Sequence, residues 1–300
     1  MSWINTALLS AAVFGVVNVI DSHLLSKRMP GLRVFLLPVG TIYLIYGLVL
    51  SYLFPLPEGT GVRILLVAIA SGMFRTVGAI IMLYTLKREE VSRVIPVVYT
   101  YPIFVAIMAV PLLGESLHYL QWLAIIMVVA GAVTISLSPS PSGSTTWLGK
   151  MLFLLFGASL FLAMADITSK YVLASISFLN LFWLTAFCMS GTFLLVSMRP
   201  HILKQLINMK QRNSAIALLT FNELLAPTAI TLSLWSIARG PVSLVSTIIS
   251  SRPIFVLTYA FVLNRVLPTF LEWQPGRRML ALRLIATAMI VGGIAIIHLT

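Results

Sequence analysis

Apolar residues run along this chain in ten stretches of roughly 20, separated by short polar or Pro/Gly-rich intervals. They lie at about 4–26, 33–54, 62–86, 92–113, 118–138, 149–171, 177–198, 213–237, 241–263 and 280–299. A helix rises about 1.5 Å per residue, so each stretch is long enough to cross a hydrocarbon core of about 30 Å. The pattern predicts an all-α membrane protein with ten transmembrane helices. Between the fifth and sixth stretches the chain reads Ser138-Pro139-Ser140-Pro141-Ser142-Gly143-Ser144, a linker composition. The predicted organisation is a first unit at 1–138, a linker at 139–148 and a second unit at 149–300.

The two units repeat each other. Thr100-Tyr101-Pro102-Ile103-Phe104-Val105 returns about 150 residues later as Ser251-Arg252-Pro253-Ile254-Phe255-Val256. The match extends to Val91-Ser92 with Val242-Ser243, Tyr84 with Trp235, and Trp122 with Trp273. Five spans per unit is an odd number, so the second unit enters the membrane in the opposite direction and the repeat is inverted. The units differ after Trp273. There Gln274-Pro275-Gly276-Arg277-Arg278 precedes the last span, an insertion of about 11 residues that reads as a loop or an interfacial element.

Composition strengthens the membrane reading. The chain is 59% hydrophobic and 9% charged, with mean hydropathy +1.03, where soluble domains carry roughly 25% charged residues. The first stretch lacks a basic leader and a clear small-residue cleavage site, so it reads as a span and not as a signal peptide. Cys188 is the sole cysteine, which leaves no intrachain disulfide and no cysteine metal cluster. The net charge of +12 does not signal a nucleic-acid partner, because the basic residues punctuate apolar runs. Of 20 Lys and Arg, Arg63, Lys170 and Arg239 fall on one side of the predicted membrane and Arg75 and Arg252 inside spans; the remaining fifteen share the other side. Lys and Arg are retained on the cytoplasmic side, which places both termini outside, in a plasma (inner) membrane setting.

Pro111-Leu112-Leu113-Gly114-Glu115, followed by Gln121-Trp122, closes the fourth span and opens the fifth. With five plus five spans and a proline in the fourth, the chain resembles the EamA-type branch of the drug/metabolite transporter superfamily over essentially its whole length. The second unit departs from that pattern, carrying Asn264-Arg265-Val266 where a second Gly-Glu is expected. The resemblance implies a carrier of amino acids, small metabolites, sugar derivatives or drugs, with the fifth and tenth spans at the periphery. A dimer contact through Gly131 and Gly292-Gly293 on those spans stays open, as does the oligomeric state.

Charges inside spans are costly, about 2.5–3.5 kcal/mol each on insertion scales, and therefore point to function. Arg75 and Arg252 lie near mid-span, where a guanidinium fork suits a carboxylate or phosphate. They serve either an anionic substrate or a structural ion pair with Glu223. Glu223, beside Asn222 on the eighth span, is the candidate for proton coupling or for static pairing with an arginine. Pro227 leaves the carbonyl of Glu223 without its helical donor. Asn18 and Asp21 share a face of the first span, and Asp166 and Lys170 share one on the sixth. These line two vestibules or pair locally near span ends. Pro102 and Pro253 free the carbonyls of Val98 and Ile249 and break the fourth and ninth spans. Tyr101 sits at site depth. Tyr99 clusters with it, and Tyr84 and Trp235 read as interfacial. Glu115, at a span end, has a structural or gating role. Gly72, Thr76 and Ala79 form a close-packing face beside Arg75.

Enzyme signatures such as His-Glu-x-x-His, Gly-x-Ser-x-Gly and a phosphate-binding loop do not occur, and His23, His118, His201 and His298 are scattered. No cofactor and no metal is expected. The reading is a gradient-driven transporter moving a small organic solute, anionic or zwitterionic, by alternating access. The alternatives are a flippase for an anionic lipid or lipid-linked sugar, and a sensor or scaffold without flux. The expected partners are the bilayer, the solute or anionic lipid, and protons.

Overall fold

Where the hydropathy pattern gives one unbroken span at 92–113 and another at 241–263, the computed structural model gives two helices each. The first breaks into α4 (Val91–Val98) and α5 (Pro102–Leu113), the second into α11 (Val242–Ile249) and α12 (Arg252–Val266). Proline is favoured in the first turn of a helix and costly in its interior, and Pro102 opens α5 while Pro253 stands second in α12. The chain is described over residues 2–89, 91–98, 100–136, 145–266 and 277–300. Tyr99, the linker at 138–144, Trp273 and Gln274-Pro275-Gly276 with the insertion lie outside the described residues.

The other helices are α1 (Trp3–His23), continued by a π-helical turn at Leu24–Arg28, α2 (Leu32–Leu53), α3 (Val62–Leu86), α6 (Tyr119–Ser136), α7 (Thr145–Val172), α8 (Phe178–Ser197), α9 (Pro200–Ile207), α10 (Arg212–Arg239) and α13 (Arg277–Leu299). There is no strand among the described residues. Among the described residues, seven stretches are long and apolar enough to cross a membrane: Trp3–Arg28, Leu32–Leu53, Val62–Leu86, Met151–Val172, Phe178–Ser197, Arg212–Arg239 and Val242–Tyr259. Pro102–Leu113, Tyr119–Thr134 and Leu284–Leu299 are shorter apolar helices. The chain is therefore an integral membrane protein. The short helix α9 falls where the apolar pattern predicts a loop. Pro200 starts it, and its buried Ile202 holds it against the bundle.

The packing partners are α1 with α10, α3 with α7, α2 with α8, and α6 with α13. Their directions follow from contacts at the helix ends. Trp3, at the start of α1, packs on Gly240, just past the end of α10. Lys170, near the end of α7, donates from Nζ to the carbonyls of Ile237 and Gly240, both at 2.8 Å. At the opposite end, Lys87, just past α3, donates to the carbonyl of Met29 at 3.2 Å, and Arg28 bonds Gln211 at the head of α10. Helices α1 and α3 thus run from the Trp3 end to the Lys87 end, while α7 and α10 run the other way.

The small-residue faces act within the chain. A Cβ on Gly131 would lie 2.7 Å from the Ala286 carbonyl oxygen, and one on Gly293 would lie 2.8 Å from that of Ala124. Those glycines let α6 and α13 touch backbone to backbone, so they are spent on an internal contact and not on a dimer face. Gly72 does the same for α3 against Thr185 and Cys188 of α8.

Candidate functional site

The interior polar groups converge on one cavity. It encloses about 900 Å³ including its mouth, and its lining comes from α1, α2, α3, α7, α8, α10, Tyr101 and Arg252. The walls are largely apolar: Phe14, Val17, Phe35, Val39, Met82, Leu83, Leu162, Met189, Phe193 and Ile230. Its polar residues are Asn18, Asp21, Tyr43, Arg75, Tyr101, Asp166, Glu223, Ser233 and Arg252. A concave, apolar chamber with a few placed polar groups is the usual form of a small-molecule site. Seven of the residues that the sequence singles out therefore meet here: Arg75, Arg252, Tyr101, Glu223, Asn18, Asp21 and Asp166.

Pairing inside the cavity differs from expectation. Arg75 pairs with Asp166, Nη2 to Oδ1 at 2.8 Å, and not with Glu223. Packing of α3 on α7 decides this, and Ser71 of α3 meets Ser169 of α7 at 2.8 Å along the same seam. Asp166 is consequently not paired with Lys170, which reaches α10 instead. Asp21 accepts from Asn222 Nδ2 at 2.7 Å, across α1 and α10. Asn222 is fully buried just behind the cavity lining, beside the lining residues Asp21 and Glu223. Asn18 and Asp21 thus face the central cavity together with Asp166, not two separate vestibules. Arg252 lies with its guanidinium carbon 3.6 Å from the centroid of the Phe14 ring, a cation–π contact. Among the described residues, Glu223 Oε2, Asn222 Oδ1 and Asn18 Nδ2 are buried without a hydrogen-bond partner.

The proline-freed carbonyls find donors on other helices. Ser159 of α7 donates to the carbonyl of Val98 at 2.9 Å, the acceptor that Pro102 leaves open. Tyr46 of α2 donates to the carbonyl of Glu223 at 3.1 Å, the acceptor that Pro227 leaves open. Pro227 stands inside a continuous α10, so it frees an acceptor without breaking that helix. Ser159, Tyr46 and the cavity tyrosine Tyr43 escape a sequence reading, because nothing local in α7 or α2 announces a distant carbonyl.

Glu115 stands apart from the cavity. Gly114, at φ +67°, ends α5 in the left-handed conformation. Glu115 then reaches the head of α11, accepting from Val242 N at 2.5 Å and Ser243 N at 3.2 Å, and from the Ser243 hydroxyl. A carboxylate suits a helix N-terminus. Tyr84 and Trp235 also lie outside the cavity, under Arg88 at 3.7 Å and Arg239 at 4.0 Å respectively.

Residues 1–137 match the model of the EamA-like transporter family. That match covers 137 of the 300 residues and likens this part of the chain to a family of membrane transporters of small solutes. A solved structure described only as "Crystal structure of protein" is similar with a TM-score of 0.69 at 17% identity, over 99% of this chain and 95% of its own. At that identity the likeness concerns the fold alone, and it extends through both halves of the chain. No curated protein matches the chain in sequence.

Proposed function

We propose that this EamA-like protein is a ten-span secondary transporter of two inverted five-helix repeats, moving a small zwitterionic solute with apolar bulk by alternating access. The observation that carries the reading is the central cavity, which has charges of both signs inside apolar walls. Arg252 takes the carboxylate-type group of the solute, and the carboxylates of α1 and α10 take the ammonium-type group. The apolar walls take the side chain. Two arginines alone suggest an anionic solute; three carboxylates among the described lining residues shift the balance toward a zwitterion.

The helix directions support inversion, since α1 and α3 oppose α7 and α10. The exchange of partners supports it too, because α3 packs on α7 as α10 packs on α1. The three shorter apolar helices fill the fourth, fifth and tenth positions, with α4 leading into the fourth. Contacts of Trp3, Lys170 and Glu115 tie one end shut. The lining residues of α2, α3 and α8 come from their halves nearer the Lys87 end. This fits a carrier resting with its site toward that end, and the positive-inside bias makes that end cytoplasmic. A scaffold without flux has no use for such a cavity.

The test is a melting-temperature screen of purified wild-type and Arg252→Ala protein against zwitterionic amino acids, organic anions, lipid phosphates and organic cations. A bound ligand raises the melting temperature by mass action. Apolar zwitterions are expected to stabilise the wild type and to lose that effect in Arg252→Ala. Stabilisation by organic cations alone, or by any class equally in both proteins, would overturn the reading.

A further inference from the structure

The cavity's charges do not balance. Among its described lining residues, Arg75 and Arg252 face Asp21, Asp166 and Glu223. Asp166 is matched by Arg75 at 2.8 Å. One negative charge is left over, on the side where α1 meets α10. Buried charge without compensation is costly, so a protein that keeps it buried holds a partner for it during part of its cycle.

We propose that Asp21, Asn222 and Glu223, with Asn18 beside them, form a binding site for one Na+ ion. This rests on, and deepens, the transporter reading above. Hard cations take oxygen ligands from carboxylates and carboxamides. Asp21 and Glu223 supply the carboxylates. Asn222 holds Asp21 through Nδ2 at 2.7 Å and leaves its own Oδ1 buried with no partner. Glu223 Oε2 is buried with no partner as well. A proton on one carboxyl supplies a single O–H donor and serves at most one further acceptor; a metal ion draws in several oxygens at once, here the two unpartnered ones together. Among the described residues no group of three His, Cys, Asp or Glu side chains gathers, which disfavours a transition metal. One monovalent ion also closes the charge count. Tyr46 steadies the arrangement by bonding the Glu223 carbonyl, so the α10 backbone is anchored beside the site. Because the ammonium-type group of a zwitterion would meet the same two carboxylates, ion and solute exclude one another, and Na+ is the counter-substrate.

The experiment measures binding of radioactive Na+ to the purified full-length protein, at near-neutral and mildly acidic pH, with choline chloride holding ionic strength constant. Saturable binding is expected, weakened about tenfold or more in Glu223→Gln and in Asn222→Ala. The melting temperature without Na+ serves as the folding control, and Glu223→Gln, being isosteric, keeps the site filled. Absence of saturable binding at both pH values would overturn the proposal, as would equal binding in a well-folded Glu223→Gln protein. A melting temperature that follows pH and ignores Na+ would identify a proton as the occupant and overturn it too. Addition of apolar zwitterions separates the two readings. Displacement of Na+ supports the exclusion, whereas Na+ binding that no zwitterion displaces leaves the ion site standing and removes the solute reading.

Discussion

Arg75–Asp166 and Asn222–Asp21 are counterparts: each joins the third helix of one half to the first helix of the other, across α3–α7 and α10–α1. One is a charged pair and the other a carboxylate held by an amide. Arg75 neutralises its carboxylate, so that seam is closed within the chain. Asn222 orients Asp21 without neutralising it, and Glu223 adds a second carboxylate alongside. The two seams pack alike; their charges differ. The unmatched seam is where chemistry is left over for a ligand.

Substitutions at the two aspartates break this comparison most sharply. Asp166→Asn strands a buried guanidinium and is expected to cost about 3–5 kcal/mol, the usual penalty for halving a buried ion pair. A large fall in melting temperature and in yield of monodisperse protein would read it. Asp21→Asn keeps a hydrogen-bonding partner for Asn222 and should leave the melting temperature near wild type while abolishing flux. If both variants lose stability alike, the seams are equivalent and the asymmetry carries no function.

Arg252→Ala tests the remaining positive charge. A charge-assisted contact to solute is worth about 1.5–3 kcal/mol, so solute affinity should fall roughly 10- to 150-fold with the fold retained. Unchanged affinity would take Arg252 out of the site.

The proline-freed carbonyls give a finer comparison. Ser159 is fully buried against Val98, so Ser159→Ala removes the shorter of that carbonyl's bonds, leaving the one from Tyr101 N at 3.4 Å, and should cost about 1–3 kcal/mol. Tyr46 is only partly buried, so Tyr46→Phe should cost about 1 kcal/mol or less. Denaturation in detergent would rank them, and the reverse order would mean that water reaches Val98. Smallest in energy is orientation: a reporter at the C-terminus should read as extracytoplasmic, and a cytoplasmic signal would invert the assignment of the two ends.

Much of this was legible in the chain itself. Hydropathy places the seven membrane-length stretches among the described residues within a few residues, because burial in lipid demands apolar helices of that length. The two breaks are legible at Pro102 and Pro253, since ring closure removes a donor wherever the helix lies. Mid-span charges single out Arg75, Glu223 and Arg252, which the fold gathers at one cavity, because lipid does not tolerate them without a purpose. The Gly114–Glu115 pair is visible as a motif, but its use is not: Gly114 turns the chain out of α5, and only the fold brings Glu115 to the head of α11.

Partnership is what the sequence could not decide. Along the chain Arg75 points to Glu223 as its counterion and Asp166 to Lys170, yet helix packing joined Arg75 to Asp166. Nothing near Tyr46 or Ser159 reveals that each answers a proline far away in sequence. The glycines of α6 and α13 could have met another copy of the chain, yet Gly131 and Gly293 each meet the backbone of the other helix. Hydropathy and proline act through each residue's own chemistry and need no neighbour to be known. Ion pairs, caps and close approaches depend on the register between helices far apart in sequence, and that register exists only once the bundle has packed.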